Sequence, residues 1–314
     1  MFVLHPSNTH YIYNLHCYQI YAIMFINKSF IPKEVRKMFN IKKSLLCISA
    51  ISCISLYAAP IEVTNPITIG STPSVPTETD YNYWKNNNTY VFNSNRGKHE
   101  IAKNTVTIDE DYTLKLLTDY TDRNYFVLDC YNTFTNNGNV IIDKYGTLRL
   151  DKNYHDKNYP STSTNNGTIG IINGYLILDN IAILNNTETI TFEDSSYIYI
   201  NNSTVTNTGT IDISNITNIS YWYNYGKFTL EGGSTFILPK SITDKIKTFW
   251  GNNPITLNGT KDKPVNIVIP KDCEYIKNID NNNKEDLFEL IKEVTGLIFN
   301  GNNRDYVEFS WQKK

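Results

Sequence analysis

The segment best suited to binding chemistry is an aromatic cluster, Tyr221-Trp222-Tyr223-Asn224-Tyr225. Exposed aromatic rings stack on sugar rings and anchor protein contacts. Strand alternation would put Tyr221, Tyr223 and Tyr225 on one face and Trp222 on the other. Such residues also simply favour strands, and Tyr81, Tyr83 and Trp84 carry the same two readings. Among the carboxylates, Asp143, Asp179 and Asp212 each follow a strand-like run at comparable positions. Two of them stacked on neighbouring coils could hold Ca²⁺ or act as acid and base; singly they are solvated strand-end aspartates. Arg149 and Arg123 are the nearby arginines that could serve a lyase as base, and neither belongs to a motif. His99 and His155 are lone histidines in polar surroundings. No HExxH, Cys/His cluster, Gly-x-Ser-x-Gly elbow, P-loop or glycine-rich calcium repeat occurs. The expectation is therefore a protein with no catalytic residues, no metal site and no cofactor, and with ligand binding placed at Tyr221, Trp222, Tyr223 and Tyr225.

The elements that must position these residues follow from composition. The chain has 314 residues, 23 of them tyrosine, and is rich in asparagine, threonine and isoleucine. Thr, Ile, Tyr, Val and Phe suit pleated strands, while Asn and Gly suit the tight turns between them. The asparagine excess can also reflect an AT-rich genome. The formal net charge is -2, with acids and bases mixed along the chain, which argues against a nucleic-acid partner.

From about Tyr90 onward, apolar residues alternate in short runs bounded by Asn, Gly or Asp: Val106/Ile108, Leu114/Leu116, Phe126/Leu128, Val140/Ile142 and Leu148/Leu150. This is the period of strands. An internal repeat is superimposed on it. Asn136-Asn137-Gly138-Asn139-Val140 recurs as Asn165-Asn166-Gly167-Thr168-Ile169, as Asn185-Asn186-Thr187-Glu188-Thr189-Ile190 and as Asn207-Thr208-Gly209-Thr210-Ile211, with Tyr225-Gly226-Lys227-Phe228 as a further copy. Markers at 138, 167, 187, 209 and 226 give steps of 29, 20, 22 and 17 residues. The long first step contains a polar stretch, Asn153–Thr164, that reads as a loop insertion. Several short strands per step of about 20 residues is what a parallel β-helix requires. An antiparallel sandwich would explain the alternation but not the recurring corner. Gly and Asn at the corners accept positive φ, and asparagines aligned on successive coils can form hydrogen-bonded ladders.

The remaining segments frame this coil. Residues 1–37 read as an upstream extension, with translation starting at Met38; a membrane segment within Tyr11–Ile26 is the competing reading. Residues 38–58 read as a signal peptide, with Lys42 and Lys43 before the apolar run Ser44–Leu56 and cleavage after Ala58. Ala50-Ile51-Ser52-Cys53 is a poor match to a lipoprotein box. Residues 59–80, containing Pro60, Pro66, Pro73 and Pro76, read as a linker, 81–240 as the β-helix, and 241–314 as C-terminal strands with a small α+β cap. In that last part Ser241–Trp250 suggests a short helix, and Leu287, Phe288, Leu290, Ile291 and Val294 form the apolar face of another, ended by Gly296. Leu297–Asn300 and Tyr306–Trp311 read as a closing hairpin. After signal removal Cys130 and Cys273 remain; they could pair, although the spacing of Cys130 from Phe126 and Leu128 suggests a buried thiol.

Asn165-Asn166-Gly167-Thr168-Ile169 and Asn207-Thr208-Gly209-Thr210-Ile211 resemble the Asn-x-Gly-x-Ile elements of autotransporter passengers and related filamentous surface adhesins, over roughly residues 130–240. The resemblance implies an all-β, right-handed parallel β-helix displayed at the cell surface or secreted, outer-membrane association being one form of this. It further implies a non-catalytic adhesive or structural role. Its partner would be a protein or glycan on a host or neighbouring cell, with membrane contact only during export. The family's C-terminal membrane barrel has no counterpart before Trp311-Gln312-Lys313-Lys314. That suggests a truncated gene, a stand-alone passenger-like protein, or one exported by separate machinery. Because parallel β-helices include polysaccharide lyases and hydrolases, a secreted glycan-cleaving enzyme is the alternative.

Overall fold

A computed structural model describes residues 61–63, 65–75, 82–85, 88–93, 99–102, 105–118, 127–152, 161–217, 222–241, 253–273, 284–301 and 306–312. The chain divides into two units, Met1–Tyr57 and Ala58–Lys314. The first unit lies outside the described residues. So do the upstream extension, the signal peptide, its Ala58 cleavage point and the Ser241–Trp250 helix beyond Ser241 itself.

The second unit is a parallel β-solenoid whose strands stack into three sides. The first side runs through Ile61–Val63, His99–Ala102, Val127–Cys130, Thr147–Leu150 and Tyr175–Leu178 into the opening half of Tyr197–Asn207. The second side stacks Ile67–Ile69, Val106–Ile108, Phe134–Asn136, Thr162–Asn165, Ile183–Asn186, the closing half of Tyr197–Asn207, then Trp222–Glu231, Ile255–Asn258 and Phe299–Asn300. The third side contains Thr89–Asn93, Thr113–Leu117, Asn139–Asp143, Thr168–Ile172, Thr189–Asp194, Thr210–Ile216, Thr235–Ile237, Val265–Ile269 and Val307–Trp311. The long strands Tyr197–Asn207 and Trp222–Glu231 turn the corner between the first two sides without a break, with a register shift between Asn201 and Thr204. Asn82–Lys85 pairs antiparallel with Thr89–Asn93 and covers that end of the third side.

Alternation decides what fills the coil. Leu148 and Leu150, Ile169 and Ile171, Leu176 and Leu178, and Leu184 point inward and are fully buried in one continuous apolar cluster. One coil cannot cover its own apolar face, so each is stable only between neighbours. Cys130 and Cys273 are both buried and unpaired. Burial pushes the Cys130 thiol up, and Asp129 beside it adds to the shift, so this thiol is held protonated.

The recurring asparagines form a buried ladder. Asn136 Nδ2 donates to Asn165 Oδ1 at 2.7 Å, Asn165 to Asn186 at 2.6 Å, and Asn186 to Asn207 at 2.6 Å. The remaining amide hydrogens reach corner carbonyls: Asn165 Nδ2 donates to Gly167 O at 3.0 Å and Thr189 O at 3.1 Å, and Asn186 Nδ2 to Glu188 O at 3.1 Å and Thr210 O at 3.2 Å. All four side chains are 0% exposed. The column ends on apolar residues, since Ile108 lies in register below Asn136 and Leu230 above Asn207. Asn136 Oδ1 is consequently left without a hydrogen-bond partner.

The Gly138, Gly167 and Gly209 corners align vertically, with Glu188 rather than Thr187 at this place in the intervening coil. The step from Asn136 to Asn165 is 29 residues, and the next two are 21 each. Glycine serves close stacking here rather than positive φ: a Cβ on Gly167 would sit 2.1 Å from Gly138 O. Left-handed backbone occurs at other corners, on Lys144, Tyr145, Asn173, Asn180, Ile181 and Asn202. Gly226 belongs to one of these other corners, stacked on Ser203, and is not the next copy of the Asn-Gly corner.

At the edges the coil extends further than its sequence motif. Ile61–Val63 and Ile67–Ile69, inside the segment read as linker, pair in parallel with His99–Ala102 and Val106–Ile108. The closing hairpin is not formed. Phe299–Asn300 pairs in parallel with Ile255–Asn258, and Val307–Trp311 with Val265–Ile269, because Phe299 and Val307 continue the inward column. The expected amphipathic helix is present at Lys284–Thr295; it buries Leu287, Phe288 and Ile291 and ends at Gly296, where φ is 68°. Phe288 packs edge-on against Phe299 and Phe309.

Replacing Asn186 with Ala removes the donor to Asn207 Oδ1 and to two carbonyls and one of the three acceptors of Asn165 Nδ2. The buried Asn207 Oδ1 is orphaned at roughly 1–3 kcal/mol, and the cavity left by the side chain adds to that cost. Urea unfolding is expected to show a loss of about 3 kcal/mol or more for Asn186→Ala, against under about 0.5 kcal/mol for the exposed Glu188→Gln.

Candidate functional site

The outer face of the first side carries two adjoining features. Strand alternation sends Leu148 and Leu150 inward and Arg149 outward, directly over Asp129 of the preceding coil. Just past the strand ends, Asp151 and Asp179 occupy equivalent places in successive coils, their amides bonding to Cys130 O and Leu150 O. The guanidinium of Arg149 is thereby surrounded. Its Nη2 lies 2.8 Å from Asp179 Oδ2 and 3.0 Å from Asp151 Oδ2, and its Nε 3.6 Å from Asp129 Oδ1. Amide donors complete the cluster: Asn180 Nδ2 reaches Asp151 Oδ1 at 2.9 Å, and Asn201 Nδ2 reaches Asp179 Oδ1 at 2.7 Å. Burial alone would lower the Arg149 pKa, but Asp129, Asp151 and Asp179 outweigh it and hold the group above its ordinary value. Burial raises the Asp151 carboxyl, against the opposing pull of Arg149.

Above this cluster the same face becomes aromatic. In-register stacking places Tyr175 under Tyr197 and Tyr199 under Tyr223, with Tyr225 over Asn201. Ring centroids are 6.5 Å apart from Tyr145 to Tyr175, 5.2 Å from Tyr175 to Tyr197, and 5.4 Å from Tyr197 to Tyr223. Two pairs lie side by side with nearly parallel rings, Tyr197/Tyr199 at 15° and Tyr223/Tyr225 at 14°. Tyr145 is 51% exposed, Tyr175, Tyr197, Tyr223 and Tyr225 are half-buried, and Tyr199 is nearly covered. Burial, and then Asp179, push the Tyr199 hydroxyl up to about 12. A row of flat, amphipathic rings at this spacing can stack on the apolar faces of sugar rings or receive a protein side chain.

The sequence-based candidates divide accordingly. Tyr223 and Tyr225 stand on this face. Trp222 does not: it points inward, is 5% exposed, and packs against Phe192, Phe228 and Phe236. Tyr221, Tyr81, His155 and Arg123 lie outside the described residues, as do the side chains of His99, Tyr83 and Trp84. The three aspartates singled out by spacing do not converge. Asp143 is on the third side, paired with Lys115 at 3.0 Å; Asp212 is also there, accepting from the Ser214 amide at 2.8 Å. Asp179 instead joins Asp129 and Asp151, which sequence reading passed over. Aligning Leu128-Asp129-Cys130, Leu148-Arg149-Leu150-Asp151 and Leu176-Ile177-Leu178-Asp179 on the coil repeat would have stacked them. Among the described residues, no group of three or more His, Cys, Asp or Glu side chains is placed to hold a metal ion.

Comparison with known proteins gives no match to a family model, a curated protein sequence or a solved structure.

Two outcomes follow from these charges. Arg149→Met leaves three buried carboxylates without their cation and is expected to cost about 3–5 kcal/mol at neutral pH. Urea titrations at pH 7 and near pH 4 should show part of that loss recovered in acid, because burial raises the Asp151 carboxyl and favours its neutral form. For Tyr199, the folded state holds its proton more tightly than the unfolded chain. Its contribution is therefore complete below pH 10 and disappears as pH rises toward about 12. Thermal melts across that range should fall less steeply for Tyr199→Phe than for the parent.

Proposed function

We propose that this protein is an exported, non-catalytic β-solenoid, secreted or held at the cell surface, that binds a glycan or protein on a host or neighbouring cell. In this reading it is a passenger-like adhesin, and membrane contact is confined to export. The observation that carries the reading is the tyrosine row Tyr145, Tyr175, Tyr197, Tyr223 and Tyr225 on one side of a rigid stack. Rings fixed by in-register strands lose little freedom on contact, which favours affinity. The resemblance of its Asn-Gly corner motif to that of autotransporter passengers supports display outside the cell.

A second reading, a glycan-cleaving enzyme on the same scaffold, is favoured by one observation: Arg149 with Asp129, Asp151 and Asp179 on that face. The electrostatics weigh against it. An arginine base must give up its proton, and here the carboxylates hold Arg149 charged. The carboxylates are themselves covered and engaged, their side chains 0%, 5% and 6% exposed.

Purified protein screened against polysaccharides and host-cell glycoproteins should bind without turnover. Tyr223→Ala/Tyr225→Ala, with its fold checked by circular dichroism, is expected to weaken binding about tenfold or more, equivalent to about 1.4 kcal/mol. Calcium-dependent release of unsaturated sugars would support the enzyme and defeat the adhesin.

A further inference from the structure

The outer face of the second side repeats one residue type in two dimensions. Successive strands place Thr68, Thr107, Thr135 and Thr164 in register, then Asn185, Thr206, Thr229 and Thr256. Two residues earlier a parallel rank runs through Thr133, Thr162, Ile183 and Thr204 to Lys227. Between them the inward residues, Phe134, Ser163, Leu184 and Val205, are buried. Several coils therefore present a Thr-x-Thr pair outward: Thr133/Thr135, Thr162/Thr164 and Thr204/Thr206. Stacked strands are about 4.8 Å apart, and alternate residues along a strand about 6.7 Å apart. The result is a rectangular net of hydroxyl and methyl groups.

The buried asparagine ladder runs behind this net at the next strand position, and ladders of this kind hold sheets flat. The first side carries tyrosines and charges, and the third alternates its threonines with Lys115, Ile141, Gly170 and Asp212. Only the second side, among the described residues, carries paired threonine ranks.

We propose that this threonine face binds crystalline water, that is, the surface of ice. Ordered water on such a net takes hydrogen bonds from hydroxyls and is held in cages over methyl groups. The two spacings are close to the oxygen repeats of an ice prism plane. A soluble, irregular ligand would have no use for a repeat maintained over so many coils, and a charged one would find only Lys227 within the ranks. This face is separate from the tyrosine row, and either can bind without the other.

The test is partition of the full chain between a slowly growing ice hemisphere and the remaining liquid, together with inspection of crystal shape. The protein should be enriched in ice and should facet the crystals. Thr135→Tyr/Thr164→Tyr, with an unchanged circular-dichroism spectrum and melting point, should return partition to that of a non-binding control. Ile183→Thr/Asn185→Thr, which completes the interrupted coil, should raise it above the parent. Tyr223→Ala/Tyr225→Ala should leave it unchanged. Exclusion of the parent protein from ice overturns the proposal, as does binding to crystalline cellulose or chitin without ice enrichment. Partition that is indifferent to both threonine-face variants also overturns it.

Discussion

In-register stacking of one coil on the next is the constraint on which everything else in this protein depends. Each strand of a coil is hydrogen-bonded to the strands above and below, so a residue's neighbours are set by its place in the coil rather than by its distance along the chain. Leu148 meets Leu128 and Leu176, and Arg149 meets Asp129. A side chain repeated at one place becomes a column. Inward columns make the core, and outward columns make the surfaces. The asparagine ladder Asn136–Asn165–Asn186–Asn207 enforces the register most strictly, since a slip of one residue would bury unpaired amides.

The same geometry explains why the three sides differ in chemistry while sharing a backbone. Tyrosines on the first side are held at ring distances of 5.2 to 6.5 Å by strand spacing and not by packing against a separate domain. The Arg149 cluster at their foot is a product of two columns meeting: Asp129 and Arg149 in one, Asp151 and Asp179 in the next. Three covered carboxylates around one guanidinium make a stiff, strongly coupled base for that face. Rigidity suits a surface that must present many weak contacts at once, where loss of side-chain freedom would otherwise offset the gain.

The ends of the stack obey the same rule with different materials. At one end of the third side Asn82–Lys85 runs antiparallel and covers the strand that would lie exposed. Toward the other end the helix Lys284–Thr295 lays Leu287, Phe288 and Ile291 onto the core, and the following chain rejoins the coil as Phe299–Asn300 and Val307–Trp311. A hairpin was the natural reading of that segment, since two short apolar runs separated by Gly301-Asn302-Asn303 have hairpin form. Both runs found better-paired neighbours in strands far back in the chain.

Sequence alone determined the class of architecture and its corners, because alternation and a recurring Asn-Gly element are local patterns that need no partner to be visible. By the period of a strand it also separated Tyr223 and Tyr225 from Trp222, while which of the two faces is outward is decided by the fold. Register was beyond its reach. The marker at Thr187 is one residue short of Glu188, Gly226 belongs to another corner, and Asp179 stands on a different side of the coil from Asp143 and Asp212. Only the tertiary structure decided that Arg149 lies among Asp129, Asp151 and Asp179, and that threonines from coils about 21 to 39 residues apart share one face. The reason is physical: coil lengths vary, so equal chemistry recurs at unequal intervals, and the interstrand hydrogen bonds settle which residues stand above one another.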